Sequence, residues 1–156
     1  MKLYLLRHGH SPNAGDAGVA ADFYRPLSDL GRSDVRRSVE RLLARGARPT
    51  LILHSPLLRA AQTAGEAREL LKPARGVEAF MPLSNSMAAP ELFAALQRRL
   101  KGVPESLIVG HQPQLGELAA FLSNNILELR PAGIIAIEVR GKADASILWA
   151  GNPDTL

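Results

Sequence analysis

At 156 residues the chain has the length of one ordinary domain, and 46% hydrophobic with 22% charged residues excludes disordered and coil-forming classes. A net charge of +4 spread along the chain, with only 4% aromatic residues, provides no basic stripe or stacking platform for nucleic acid. The absence of cysteine removes disulfides, thiolate metal sites and cysteine nucleophiles, and with no signal peptide or membrane-length apolar run the expected compartment is the cytoplasm.

In chain order, Leu3 to Leu6 is a continuous apolar run, the pattern of a strand buried on both faces. A polar loop with Gly and Pro follows from Gly9 to Leu27. Ser28 caps a predicted helix to Arg45, with Val35, Val39, Leu42 and Leu43 at helical spacing and Gly46 as its stop. The cluster Arg32, Arg36, Arg37 and Arg41 mixes on that helix with Asp29, Asp34 and Glu40, and reads as a solvated face. Thr50 to His54 is a second strand, and Ser55 with Pro56 reads as the cap and first turn of a helix to Leu71. Val77 to Phe80 is a short third strand. Pro90 opens an amphipathic helix to Leu100 with Leu92, Phe93 and Leu96 on one face. Ser106 to Gly110 is a fourth strand, followed by a helix from Pro113 to Leu122. Gly133 to Val139 and Ser146 to Ala150 flank a polar stretch and read as a hairpin, with Trp149 as a core residue.

Alternating strands and helices predict an α/β fold: a three-layer sandwich with a mainly parallel central sheet, helices on both faces and an antiparallel C-terminal edge hairpin. Residues 1–156 read as one domain. In such sheets, sites form beyond the carboxyl ends of the strands. Those ends carry Arg7 and His8, then His54, Ser55 and one turn later Arg59, then Ser84, Asn85 and Ser86, then Gly110 and His111. Two guanidiniums bind a phosphoryl group through oriented donors. A neutral imidazole is a nucleophile at pH 7, and a second imidazole can hydrogen-bond the transferring group. No carboxylate cluster accompanies them to hold a metal. The expected chemistry is metal-free, cofactor-free phosphoryl transfer by a covalent route.

The stretch Leu6-Arg-His-Gly9 resembles the RHG hallmark of the histidine phosphatase superfamily, the phosphoglycerate mutase-like fold. Ser55 to Thr63 resembles the second motif of that superfamily, and Gly110-His-Gln-Pro113 its third. Arg25-Pro-Leu-Ser-Asp-Leu-Gly31 resembles the corresponding stretch of SixA-type phosphohistidine phosphatases. The resemblance covers Met1 to Leu122. It implies His8 as the nucleophile, with Arg7, Arg59 and His111 around the phosphate. Ser11, Arg25 and Ser86 are further candidate substrate-binding residues. Arg25 also reads as a surface salt-bridge partner and Ser86 as a solvated loop serine. Asn13 follows Ser11 by two residues rather than the three of larger relatives.

Two departures bear on function. His10 stands where many relatives have an acidic residue, and reads equally as a substrate contact or an ordinary loop histidine. His54 reads as a packing or orienting residue. The stretch Met81 to Ala89 contains no Asp or Glu, whereas larger relatives draw a proton-donating Glu from that loop. Glu78 and Glu91 are then the nearest carboxylates in sequence. A missing acid and a short loop point to phosphohistidine on a histidine phosphotransfer domain as substrate. The alternatives are small phosphate esters or anhydrides, and a non-catalytic phosphoprotein-binding domain. No nucleic acid or membrane partner is expected. Since His8 attacks when neutral and His111 serves best when charged, a bell-shaped pH profile is expected.

Overall fold

The computed structural model describes residues 1–141 and 144–156. Six strands form one sheet: β1 (Lys2–Arg7), β2 (Leu51–His54), β3 (Val77–Ala79), β4 (Glu105–Gly110), β5 (Ile134–Gly141) and β6 (Asp144–Gly151), in the spatial order β3-β2-β4-β1-β5-β6. The first four are parallel to their neighbours, while β5 runs antiparallel to β1 and β6 antiparallel to β5. The predicted mainly parallel sheet with an antiparallel terminal hairpin is what forms. Positions 142 and 143, in the middle of the expected hairpin loop, lie outside the described residues.

Each central strand is buried on both faces, and alternate side chains feed two separate cores. Leu3, Leu5, Leu51, Leu53 and Ile108 join one core with Leu92, Leu96, Leu115 and Leu118. The last four come from helices α4 (Ala89–Arg99) and α5 (Gln114–Ser123). Tyr4, Leu6, Ile52, Leu107 and Val109 join the other with Val35, Val39, Leu42, Ala60 and Ala64 from α2 (Asp29–Ala44) and α3 (Leu58–Leu71). Burying each such aliphatic side chain contributes about 1.5–3 kcal/mol, so the two faces of the sheet carry most of the fold's driving force. Trp149 is half-buried against the second core, with the Arg45 guanidinium 4.6 Å over its ring.

Two local outcomes differ from expectation. The Gly9–Leu27 loop holds a four-residue helix, α1 (Ala14–Ala17), and a single 3₁₀ turn at Asp22–Tyr24. Both are too short and too exposed to leave an apolar period. The helix after β2 begins at Leu58 rather than Pro56, and Ser55 does not cap it. By contrast Ser28 caps α2 as expected, accepting from the Gly31 amide.

The loop after β1 is set by close backbone contact. A Cβ on Gly9 would lie 2.6 Å from the Gly31 carbonyl oxygen, and one on Gly31 would lie 2.2 Å from that of His10. Glycine at both positions lets the first turn of α2 press against the end of β1. Among the described residues, no helix is long and apolar enough to cross a membrane.

Candidate active site

Strands β1, β4 and β2 are neighbours, so their carboxyl ends bring Arg7, His8, His111 and Ser55 to one edge of the sheet. Arg59 joins them from the first turn of α3. The sequence motifs lock one another in place there. The Gly9 amide donates to Thr63 Oγ1 (3.2 Å), whose hydroxyl donates to the Arg59 carbonyl (2.8 Å). The Leu27 amide donates to Gln62 Oε1 (2.9 Å), tying the Arg25–Gly31 stretch to α3.

His8 is 8% exposed, and its ring centroid lies 5.2 Å from that of His111. Its Nδ1 lies 2.8 Å from the Gly9 carbonyl, an acceptor, so Nδ1 carries the proton. Nε2 is left unprotonated, and its lone pair accepts a hydrogen bond from Arg59 Nε–H at 3.3 Å. Burial pushes the His8 pKa down to about 3, with the His111, Arg59 and Arg7 charges adding to the shift and the Gly9 hydrogen bond opposing it. A buried imidazole with an unprotonated Nε2 beside a guanidinium is able to attack phosphorus at neutral pH.

His111 is 2% exposed. Its Nε2 lies 2.7 Å from Ser55 Oγ, which also accepts from the Leu57 amide at 3.2 Å. With the serine hydroxyl donating to Nε2, the proton of the neutral ring sits on Nδ1, which is buried and without a partner. An oxygen of a bound phosphoryl group is a natural acceptor for such a donor. Burial first, then Arg59, lowers the His111 pKa to about 4, against the raising effect of Asp22. His111 is therefore neutral at pH 7, and the charged form expected to serve the reaction requires the phosphate anion of a substrate beside it. Arg7 is lowered from the ordinary arginine range by burial and by Arg59. It spends one donor on the Leu129 carbonyl (3.0 Å), and its buried Nε is unpartnered. Neighbouring cations and orphaned donors of this kind are able to hold an anion.

The remaining sequence candidates fall elsewhere. Arg25 commits Nε to the Pro12 carbonyl (2.8 Å), Nη2 to the Ser11 carbonyl (3.0 Å) and Nη1 to the Asp22 carboxylate (2.8 Å). Ser11 Oγ donates to the Pro26 carbonyl at 2.6 Å. Both brace the loop over the site, and Arg25 makes the salt bridge that competed with its phosphate reading. Asn13 caps α1 through the Asp16 amide. Ser86 is exposed on a turn whose neighbour Asn85 is pinned by the buried Gln114. His10 bonds Ser28 Oγ (2.7 Å), and His54 Nδ1 bonds the Ser55 carbonyl (2.8 Å). Glu78 is occupied by Arg99 at 2.7 and 3.0 Å. Among the described residues, the carboxylate that does reach the site is Asp22. Its Oδ2 accepts from Arg59 Nη2 (3.2 Å) and its main-chain oxygen from Arg59 Nη1 (3.0 Å). Asp22 is the residue that sequence reasoning missed, while Ser55, placed at the strand end but read as a helix cap, partners His111 instead.

Both histidines have folded pKa values below the unfolded value of about 6.5. Between pH about 4 and 6.5 the unfolded chain binds more protons than the folded one, so stability rises with pH there and is lost on acidification. Tm is expected to fall steadily from pH 7 to 4.5, with a flatter slope in His8→Gln and His111→Gln. An unchanged slope in both variants would assign the acid sensitivity to other groups.

The model of the histidine phosphatase superfamily (branch 1) matches residues 3–86. An uncharacterized protein of Picosynechococcus sp. is 36% identical over 145 residues, covering 88% of this chain and 84% of that protein. The phosphohistidine phosphatase SixA of Escherichia coli is 32% identical over 123 residues, covering 78% and 74%. The solved structure of the protein histidine phosphatase SixA complexed with tungstate superposes with a TM-score of 0.89 at 25% identity, covering 99% of this chain and 98% of that one.

Proposed function

The chain belongs to the histidine phosphatase superfamily, and from that membership we propose that it dephosphorylates phosphohistidine on a signalling phosphotransfer protein through a phosphorylated His8. A phosphatase activity is supported by the family and by the SixA-like structure. The observation that carries the catalytic reading is the geometry of His8, whose Nδ1 faces the Gly9 carbonyl and whose Nε2 accepts from Arg59.

In this reading Arg7, Arg59 and the Nδ1–H of His111 hold the phosphoryl oxygens while Nε2 attacks in line. The guanidiniums offset the charge that a metal would otherwise neutralise, so the reaction is metal-independent. Water then hydrolyses the phosphorylated His8 and releases phosphate.

The substrate class rests on what surrounds this centre. Met81 to Ala89 supplies no carboxylic acid, and Glu78 is already paired. An alkoxide leaving group needs a proton donor, whereas an imidazole whose second nitrogen is protonated leaves neutral. Phe23 and Tyr24, 45% and 58% exposed beside Asp22, offer apolar area to a protein surface.

The test is kcat/KM, in EDTA, on a histidine-phosphorylated phosphotransfer domain beside 3-phosphoglycerate and a sugar phosphate. The phosphohistidine domain is expected to exceed both by at least about tenfold. A small alkyl phosphate ahead by the same margin would overturn the substrate class. Activity lost in EDTA and restored by Mg²⁺ or Zn²⁺ would overturn metal independence.

A further inference from the structure

Asp22 has no place in the mechanism above, yet it touches its central cation. It stands on the 3₁₀ turn that packs against α3. One edge of the Arg59 guanidinium meets the Asp22 carboxylate and carbonyl at 3.2 and 3.0 Å, while Nε meets His8 Nε2 at 3.3 Å. A single planar group therefore spans the distance between this carboxylate and the nucleophilic nitrogen. Among the described residues, Asp22 is the carboxylate in hydrogen-bond contact with any of Arg7, His8, Arg59 and His111.

Its charge state is set by its neighbours. Arg25 Nη1 lies 2.8 Å from Oδ1 on the same loop, and Arg59 contacts Oδ2 from α3. The hydrogen bond from Arg25 foremost, with the Arg59 charge and hydrogen bond added, holds the carboxyl below its ordinary range against the opposing effect of burial. His111 feels the same negative charge from β4. At neutral pH Asp22 is an acceptor with no proton to give. It is unsuited to protonating an alkoxide and suited to receiving an N–H. Its side chain is 62% exposed, so a group brought from outside can reach it.

We propose that Asp22 selects the leaving group: its carboxylate accepts a hydrogen bond from the protonated second ring nitrogen of a phosphoimidazole and repels leaving groups that carry negative charge. This rests on the reading of the site as a phosphohistidine phosphatase. In the first step the lone pair of His8 Nε2 forms a P–N bond as the substrate's P–N bond breaks. The electron pair of the broken bond returns to the leaving ring nitrogen. The proton on the other ring nitrogen stays where it is, so the imidazole departs neutral and Asp22 gains and loses no proton. Asp22 favours the protonated, reactive form of the substrate and disfavours anionic competitors, a preference made of attraction and repulsion together.

The test is Asp22→Asn, which keeps the shape and one acceptor oxygen for Arg25 or Arg59. The readout is the ratio of kcat/KM on a histidine-phosphorylated phosphotransfer domain to kcat/KM on 3-phosphoglycerate. A charge-assisted hydrogen bond discounted for solvent exposure predicts that this ratio falls by about tenfold or more. Parallel losses on both substrates, or a ratio that moves less than about threefold, would make Asp22 a brace for Arg59 and overturn the proposal. If the wild-type enzyme itself prefers 3-phosphoglycerate, the phosphohistidine reading fails and this inference with it. A wild-type preference that survives intact in Asp22→Asn defeats the Asp22 role alone.

Discussion

Replacement of His8 by alanine is expected to lower kcat by at least about 10⁴, the scale of losing a covalent nucleophile. The residue has no substitute in the site. His111 is the other ring near the phosphoryl seat, but its Nε2 is occupied by Ser55 and its Nδ1 carries a proton. The Nδ1 atoms of His10 and His54 are engaged by Ser28 Oγ and the Ser55 carbonyl rather than by His8, Arg59 or His111. Wild-type enzyme quenched during turnover should carry acid-labile, base-stable label on His8. Label on another residue, or near-normal turnover without His8, would sink the assignment. The fold should tolerate the change, because the imidazole makes one hydrogen bond to the adjacent Gly9 carbonyl and accepts one from Arg59.

The strands were legible because each is a short apolar run whose alternate residues enter opposite cores, as Leu3 and Leu5 do against Tyr4 and Leu6. The strand ends then located the histidines and arginines, since a parallel sheet gathers its carboxyl ends at one edge. What the pattern could not reveal is which partner a polar side chain chooses. Ser55 before Pro56 carries a cap signature, but the backbone stays on the sheet through Ser55, whose amide donates to Val109. That fully buried hydroxyl therefore meets His111 rather than a helix terminus. Arg25 reads as a spare cation, and the fold of its loop turns every nitrogen toward Pro12, Ser11 and Asp22. Asp22 was invisible for a related reason. Its contact with Arg59 spans 37 positions and depends on a single 3₁₀ turn with no periodic signature.

Arg59→Ala is expected to reduce kcat/KM by about 10³, in the range of losing a guanidinium that stabilises a transferring phosphoryl group. The residue is 8% exposed and its donors serve His8 and Asp22. It both orders the neighbourhood of His8 and holds the loop that carries Asp22. Arg59→Lys separates charge from geometry. An ammonium keeps the positive charge but lacks the planar fork, so it cannot serve His8 Nε2 and two Asp22 oxygens from one group. It should recover no more than about tenfold of the loss, because the fork's geometry rather than its charge accounts for most of the effect. Arg7 would still supply a cation, so binding of inorganic phosphate should weaken less than turnover does. Lysine restoring nearly full activity would mean that charge alone suffices, and the aligned arrangement of Arg59 between nucleophile and carboxylate would lose its meaning.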